Sequence, residues 1–127
     1  MSSATAHIFD RFVAAVNAHD VAALAVLMTA DHLFIDSLAN RVQGAAAMEA
    51  GWRGYFALCP DYWIRVDRAM TEGETVFAVG EAGGSIDGVA WRIPAAWRAV
   101  IRGGLLSEWQ VFADNQPVYE ILDKRRP

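Results

Sequence analysis

Residues 89–113 read VAWRIPAAWRAVIRGGLLSEWQVFA and predict two long strands joined by a tight turn. Apolar residues recur with a strand-like period over 89–101 and again over 105–113. Arg102-Gly103-Gly104 separates the two segments, and a glycine pair between strands is typical of a hairpin turn. Pro94 lacks a backbone N–H, so it marks either a bulge or a strand edge in the first segment.

The sequence before this hairpin predicts two more antiparallel strands. Residues 62–68 and 75–81 have the same period, with a turn at residues 72–74 between them and another through residues 83–88. After residue 113, Asn115-Gln116-Pro117 is expected to break the ladder, and residues 118–122 are expected to form a last short piece.

The first half of the chain has helical spacing instead. One helix, with Ser2 or Ser3 as a possible N-cap, is predicted from a set of apolar residues three and four apart: Ile8, Phe9, Phe12, Val13 and Val16. Asp20 is predicted to cap a short second helix that ends at Asp31-His32, and residues 33–36 are predicted to form a short strand. A turn at residues 41–44 then leads into a third helix over residues 44–58.

Helices followed by an antiparallel meander predict an α+β fold. We expect a cone-shaped molecule, with three N-terminal helices packed on a curved, mostly antiparallel sheet of four to six strands that encloses an apolar pocket. A length of 127 residues suits a single domain over residues 1–127.

Charge and composition exclude several classes of function. The net charge is −4, and the only basic cluster is Lys124-Arg125-Arg126, so nucleic-acid binding is not expected. One cysteine, Cys59, is expected to pack as a thiol, and three histidines without a metal-binding spacing predict no metal site. No apolar run is long enough for a membrane span and no signal peptide is evident, so we expect a cytoplasmic protein.

Aromatic residues are unusually abundant, with five Trp, six Phe and three Tyr. Such an excess predicts a lined cavity, a self-association surface, or both, although core packing is the ordinary use of any one ring. The candidates for the cavity wall are Trp52, Tyr55, Phe56, Tyr62 and Trp91. Trp63, Trp97 and Trp109 are expected on other faces, where a second copy of the chain could cover them.

The order of these elements resembles the nuclear-transport-factor-2-like superfamily and, within it, the SnoaL-like polyketide cyclase group. The resemblance covers roughly residues 8–122 and is carried by pieces that stand in the same order: residues 16–20, 34–36, 41–44, 59–62, Trp91 with the Pro94 strand, Gly103-Gly104 and residues 108–114. It implies an enzyme without a cofactor, or a binding module, that forms a homodimer through the exposed face of its sheet. One fold of this kind supports many activities.

Cyclases of this group use a carboxylate on the last long strand, and Asp114 stands at the matching position. The resemblance implies that Asp114 is the acid/base residue, with Phe112 on the same side of the strand against the substrate. A base for a proton alpha to a carbonyl needs a pKa raised by burial. The alternative is that Asp114 caps the turn at residues 115–117.

Asp36 is the second candidate carboxylate. In a strand His32, Phe34 and Asp36 point the same way, so all three are candidates for the pocket. Steroid isomerases of the superfamily place a base near this strand, which implies that Asp36 assists or orients. Alternatively, Asp36 pairs with Arg41 or Arg53 or begins a turn, and His32 is a histidine at a helix end.

Two functions follow from these expectations. The first is a cyclase or isomerase that moves a proton on an apolar carbonyl compound, with Tyr55 or Tyr62 stabilising the enolate. The second is a module that binds an apolar small molecule or serves as a dimer scaffold, without catalysis. The two differ in whether both carboxylates face one dry cavity.

Overall fold

The computed structural model describes residues 4–125 as four helices and six strands. In chain order the elements are α1 (Ala4–Ala18), α2 (Val21–Leu27), β1 (Met28–Ile35), β2 (Arg41–Gln43), α3 (Ala45–Leu58), β3 (Trp63–Glu72), β4 (Thr75–Ile86), β5 (Val89–Arg102), β6 (Leu105–Ala113) and α4 (Gln116–Asp123). The expectations for Ser2, Ser3 and Arg126 lie outside the described residues. None of the helices within 4–125 is long and apolar enough to cross a membrane.

The strands form one sheet in the order β2-β1-β6-β5-β4-β3. Every pair is antiparallel except β1 and β6, which are parallel. The fold is therefore the α+β arrangement that the sequence predicts, with α1 to α3 against the inner face of a curved sheet. The parallel pair brings the end of β1 beside β6, with Phe34 opposite Trp109.

The ends of the first two helices are fixed by a local cap at Asp20 and by long-range contacts of His19. Asp20 caps α2 as predicted, since its Oδ1 accepts the backbone N–H of Ala23 at 3.1 Å. At the end of α1, His19 has a positive φ of 53°, and its Nε2 lies 2.6 Å from the carbonyl oxygen of Tyr62. The His19 ring also stacks on Phe56, with 4.1 Å between the ring centres.

Four boundaries differ from the sequence expectations. β1 begins at Met28, inside the predicted second helix, and residues 41–43 form the short edge strand β2 instead of a turn. β4 runs through residues 83 and 84 to Ile86, because these glycines pack against Trp63 and Cys59 and the turn falls at residues 87–88. Pro94 lies inside β5, one residue beyond Ala95, the last residue of β5 that pairs with β6. It therefore stands at a local edge of the sheet, where a proline is tolerated.

Residues 118–122, expected as a strand piece, belong to helix α4. Pro117 lies in its first turn, where a fixed φ and a missing N–H suit the start of a helix. Val118 and Ile121, three residues apart, are the residues that α4 buries. A short apolar run does not distinguish a strand from a helix by its periodicity, which explains the wrong expectation.

Trp97 and Trp109 lie in the core, which corrects the expectation that they occupy an outer face. Each is at most 2% exposed, and their rings lie 6.4 Å apart on the inner face of β5 and β6. Trp63 is half-buried beside residue 83 on β4. The outer face of the sheet carries other exposed apolar side chains: Met70, Phe77, Val79 and Phe112.

Candidate functional site

An aromatic cavity of about 330 Å³ lies between α3 and the inner face of the sheet. It is lined by Phe34, Asp36, Ser37, Val42, Met48, Gly51, Trp52, Tyr55, Tyr62, Ala82, Trp91, Ile93, Ala95, Trp97, Trp109, Val111, Ala113 and Asn115. The volume is at the small end of the range for small-molecule sites, about 300–1,000 Å³. The lining is mostly apolar, with a few polar groups near Asp36.

Six predicted site residues meet in this cavity: the carboxylate residue Asp36 and the aromatic residues Phe34, Trp52, Tyr55, Tyr62 and Trp91. The Tyr55 and Tyr62 rings meet edge to face with centres 4.8 Å apart, and Tyr62 stacks on Trp91 at 6.0 Å. Phe56, predicted with them, is buried next to Trp52 and stacked on His19, and it is not among the lining residues. It supports the wall from behind.

The polar chemistry of the two tyrosines is that of neutral hydroxyl groups. Burial raises the pKa of Tyr55 and of Tyr62 far above the ordinary value, and the Cys59 thiol nearby adds to the effect. Burial likewise raises the pKa of Cys59, against a smaller lowering effect of the Ser85 backbone N–H. Both tyrosines can therefore donate a hydrogen bond at neutral pH, and the thiol stays protonated.

Asp36 is the one residue with a charged side chain among those that line the cavity. Its carboxylate holds the loop after β1: Oδ1 accepts the backbone N–H groups of Leu38 and Asn40, each at 2.9 Å, and Oδ2 accepts the Asn40 side-chain amide at 3.0 Å. Among residues 4–125 it pairs with neither Arg41 nor Arg53, and Arg53 pairs with Glu49 instead. Asp36 therefore both begins a turn and faces the cavity.

Asp114 does not lie in the cavity, contrary to the expectation for a pocket base. It is exposed, and its Oδ1 accepts the backbone N–H of Gln116 at 3.1 Å, which is the turn-capping alternative. Phe112 also points outward and is 50% exposed. Side chains alternate along β6, and Trp109, Val111 and Ala113 occupy the inner face, so Phe112 and Asp114 share the outer one.

The signal that places this strand correctly is present in the sequence. Glu108 and Gln110 alternate with Trp109 and Val111, which puts the even-numbered residues on the polar side. Arg98 on β5 pairs with Glu108 and Gln110 on the same outer face. Extending that alternation by two residues predicts an outward Phe112 and an outward Asp114.

His32 is fully buried and lies outside the set of cavity-lining residues. Its Nδ1 is 2.9 Å from the carbonyl oxygen of Leu106. Because a carbonyl only accepts, Nδ1 carries the proton and Nε2 bears a lone pair, for which the described residues offer no partner. Burial lowers the pKa of His32, so it is a neutral core histidine here.

Sequence analysis missed two polar groups of the cavity, Ser37 and Asn115. The Asn115 side-chain amide donates to the Ser37 hydroxyl oxygen at 2.7 Å and connects the loop after β1 to the start of α4. Their separation of 78 residues explains why no local pattern links them. As for metals, no cluster of three or more His, Cys, Asp or Glu able to hold an ion is found within residues 4–125.

A six-stranded curved sheet closed around helices and an aromatic cavity is a nuclear-transport-factor-2-like fold. Within that class the chain belongs to the SnoaL-like domain family, whose profile matches residues 9–109. A search among curated proteins finds no match to the chain.

Solved structures support the same fold. A protein assigned to the SnoaL-like polyketide cyclases from Shewanella denitrificans superposes with a TM-score of 0.85 at 15% identity, over 97% of this chain and 99% of that one. An LEH-like epoxide hydrolase from M. tuberculosis gives 0.81 at 13% identity, over 94% and 87%. A hypothetical protein with a ketosteroid isomerase-like fold from Catenulispora acidiphila, in complex with trimethylamine, gives 0.76 at 21% identity, over 83% of each chain.

Proposed function

We propose that the cavity binds a small, largely apolar carbonyl compound and that Asp36 moves a proton on it, as in a cyclase or isomerase. The observation that carries this proposal is the position of Asp36, the one charged group in an otherwise aromatic and aliphatic lining. Proton abstraction next to a carbonyl needs a base within reach of the carbon and a donor for the carbonyl oxygen. The cavity contains both kinds of group.

The base can be assigned to one atom of Asp36. A carboxylate has about four lone-pair directions, and in Asp36 two on Oδ1 and one on Oδ2 are already used by the loop. The remaining lone pair of Oδ2 takes the proton from the carbon alpha to the carbonyl. The C–H electron pair moves to the carbonyl oxygen, and an enolate forms.

The hydroxyl groups of Tyr55 and Tyr62 are the donors for that oxygen. Burial keeps both protonated, and neither donates to a protein acceptor among residues 4–125 in the hydrogen bonds found there. From the enolate, return of the proton to another carbon is an isomerisation, and attack on a second carbonyl carbon closes a ring. Neither step requires a cofactor.

The test is proton exchange on a simple ketone. With 1-tetralone in D2O, NMR measures loss of the proton signal alpha to the carbonyl, and we expect the protein to accelerate it over buffer. Asp36→Asn keeps an oxygen for the loop N–H groups but removes the base, so the rate falls by about 100-fold or more. Asp114→Asn, which changes the carboxylate outside the cavity, keeps most of the rate. The reverse pattern would show that Asp36 is not the base.

A binding module without catalysis is the second candidate, and one observation favours it. Three hydrogen bonds already hold the Asp36 carboxylate in the loop, which is a structural role sufficient to explain its presence. The trimethylamine complex of the C. acidiphila protein is a case of ligand binding by the same fold. Tight binding of 1-tetralone with no exchange above buffer would establish this alternative.

A homodimer through the outer face of the sheet is also proposed. Met70, Phe77, Val79 and Phe112 are 47–74% exposed on neighbouring strands of that face. Contiguous apolar side chains of this kind commonly mark an interface. A cytoplasmic location stays a prediction from the sequence.

A further inference from the structure

The lining of the cavity has an unbalanced charge. Asp36 contributes a carboxylate, and no Arg, Lys or His is among the lining residues. Asp36 also takes part in none of the ion pairs found within residues 4–125. All three of its hydrogen-bond donors are neutral amide groups. A ligand therefore meets a negative charge that the protein leaves without a positive partner.

The aromatic walls add to this field through their ring faces. Trp52 and Trp91 line the cavity, yet their indole Nε1 atoms are buried, so these two rings can offer only carbon atoms to a ligand. Tyr62, in the loop between α3 and β3, stacks on Trp91 of β5 and meets Tyr55 of α3 edge to face, so several aromatic rings adjoin at the cavity wall. Ring faces carry partial negative charge and attract cations.

An anionic ligand would therefore meet only unfavourable charge in this cavity. A carboxylate or phosphate requires a cationic side chain or a set of charged donors, and the lining offers neither. A neutral apolar ligand would leave the negative charge of Asp36 without a positive partner. A cation held against aromatic faces next to a carboxylate satisfies both features at once.

We propose that the ligand of this cavity is an organic cation, an alkylated ammonium whose charge lies over the aromatic wall with Asp36 as its counter-ion. The inference rests on the proposed function only in taking this cavity as the ligand site.

The experiment compares choline with 3,3-dimethylbutan-1-ol, a neutral molecule of nearly the same shape, by isothermal titration calorimetry. Choline is expected to bind about tenfold tighter or more. Asp36→Asn should reduce choline affinity about tenfold and leave the affinity for the alcohol unchanged. Asp31→Asn is the matched control: it removes the same charge five residues earlier, on an exposed side chain paired with Arg102 outside the cavity.

Three results would overturn the inference. They are equal or weaker binding of choline relative to the alcohol, an Asp36→Asn variant that binds choline like the parent, and no binding of either probe at millimolar concentration. These outcomes are independent of the exchange assay with 1-tetralone. Choline selectivity without exchange would reject the catalytic proposal alone, whereas exchange without choline selectivity would reject the cation alone.

Discussion

The side chain of Asn17 hydrogen-bonds both the backbone N–H and the backbone carbonyl of Ile64, 47 residues further along the chain. Its Nδ2 donates to the Ile64 carbonyl at 3.0 Å, and its Oδ1 accepts the Ile64 N–H at 2.8 Å. One amide side chain therefore takes the place of a neighbouring strand at the start of β3. The contact fixes the end of α1 against the sheet and, with His19, holds Tyr62 at the cavity wall.

We expect Asn17→Ala to lower the free energy of unfolding by about 2–3 kcal/mol, because two part-buried backbone groups lose their partner. Urea denaturation followed by tryptophan fluorescence measures the change. Gln43→Ala is the control, since Gln43 also donates to a backbone carbonyl, that of Asp31, but at an exposed site, and should cost less than about 1 kcal/mol. Equal losses of unfolding free energy in the two variants would show that the two hydrogen bonds of Asn17 stabilise the protein no more than the exposed one of Gln43.

Gly80 tolerates no side chain. It lies opposite the irregular pairing of β3 at Val66, and a Cβ there would overlap the carbonyl oxygen of Arg65. Gly80→Ala therefore forces the two strands apart, and we expect a loss of about 3 kcal/mol or more in the free energy of unfolding.

Gly54→Ala is the matched control, for which we expect a gain of stability instead of a loss. Gly54 lies within α3, and the space that a Cβ would occupy has no neighbouring atom within 4 Å, so alanine should add up to about 1 kcal/mol through its helix propensity. Thermal denaturation of both variants measures the contrast. A Gly80→Ala protein as stable as the parent would contradict the close approach.

His32 should make stability depend on pH below neutrality. Burial lowers its pKa in the folded state below the ordinary value of 6.5, so below that value the unfolded chain binds more protons than the folded one. Stability therefore falls as the pH drops from about 7.5 through the ordinary value of 6.5 and toward the lower pKa of the folded state. Carboxylates with lowered pKa values, such as Asp31 and Asp61, lose their contribution at lower pH, around the ordinary value of 3.8 and below.

The measurement is the urea midpoint across this pH range. His32→Asn retains a donor for the Leu106 carbonyl and should flatten the slope, whereas His7→Asn, at an exposed position on α1, should not. An unchanged slope in His32→Asn would place the titrating group elsewhere.

The exposed apolar side chains on the outer face of the sheet predict a dimer, and one charged substitution there should dissociate it. Phe77→Glu introduces a charge into the apolar patch beside Val79 and Phe112, so we expect the mass measured by light scattering to change from two chains to one. Val26→Glu alters another exposed apolar side chain, 70% exposed and on α2, and should leave the dimer intact. A parent protein that is monomeric at micromolar concentration would reject this interface.

Local patterns in the sequence were sufficient for most of the fold. The hairpin at residues 103–104, the long strands on either side of it and the helix over residues 45–58 each follow from spacing and turn chemistry within a few residues. Helix α4 was missed although Pro117, Val118 and Ile121 carry its signal, because a five-residue run is compatible with either period.

The site was predicted less completely, for two different reasons. Phe112 and Asp114 were assigned to the wrong face of β6, although the alternation of Glu108 with Trp109 contains the correct answer. Ser37 and Asn115 could not be found this way, because their contact joins two loops through space. Resemblance to relatives supplied a position for a base but not the direction of its side chain.

The amino-acid sequence by itself determined most of the helices and strands and the aromatic character of the interior, since each depends on residues close together in the chain. Only the tertiary structure decided that β1 lies parallel to β6 and that Asp36 reaches the cavity while Asp114 caps a turn outside it. Strand pairing between distant parts of the chain and the distance between α3 and the sheet set those outcomes. Both depend on how the whole chain packs, because the pairing that buries the entire inner face of the sheet is more stable than other local arrangements.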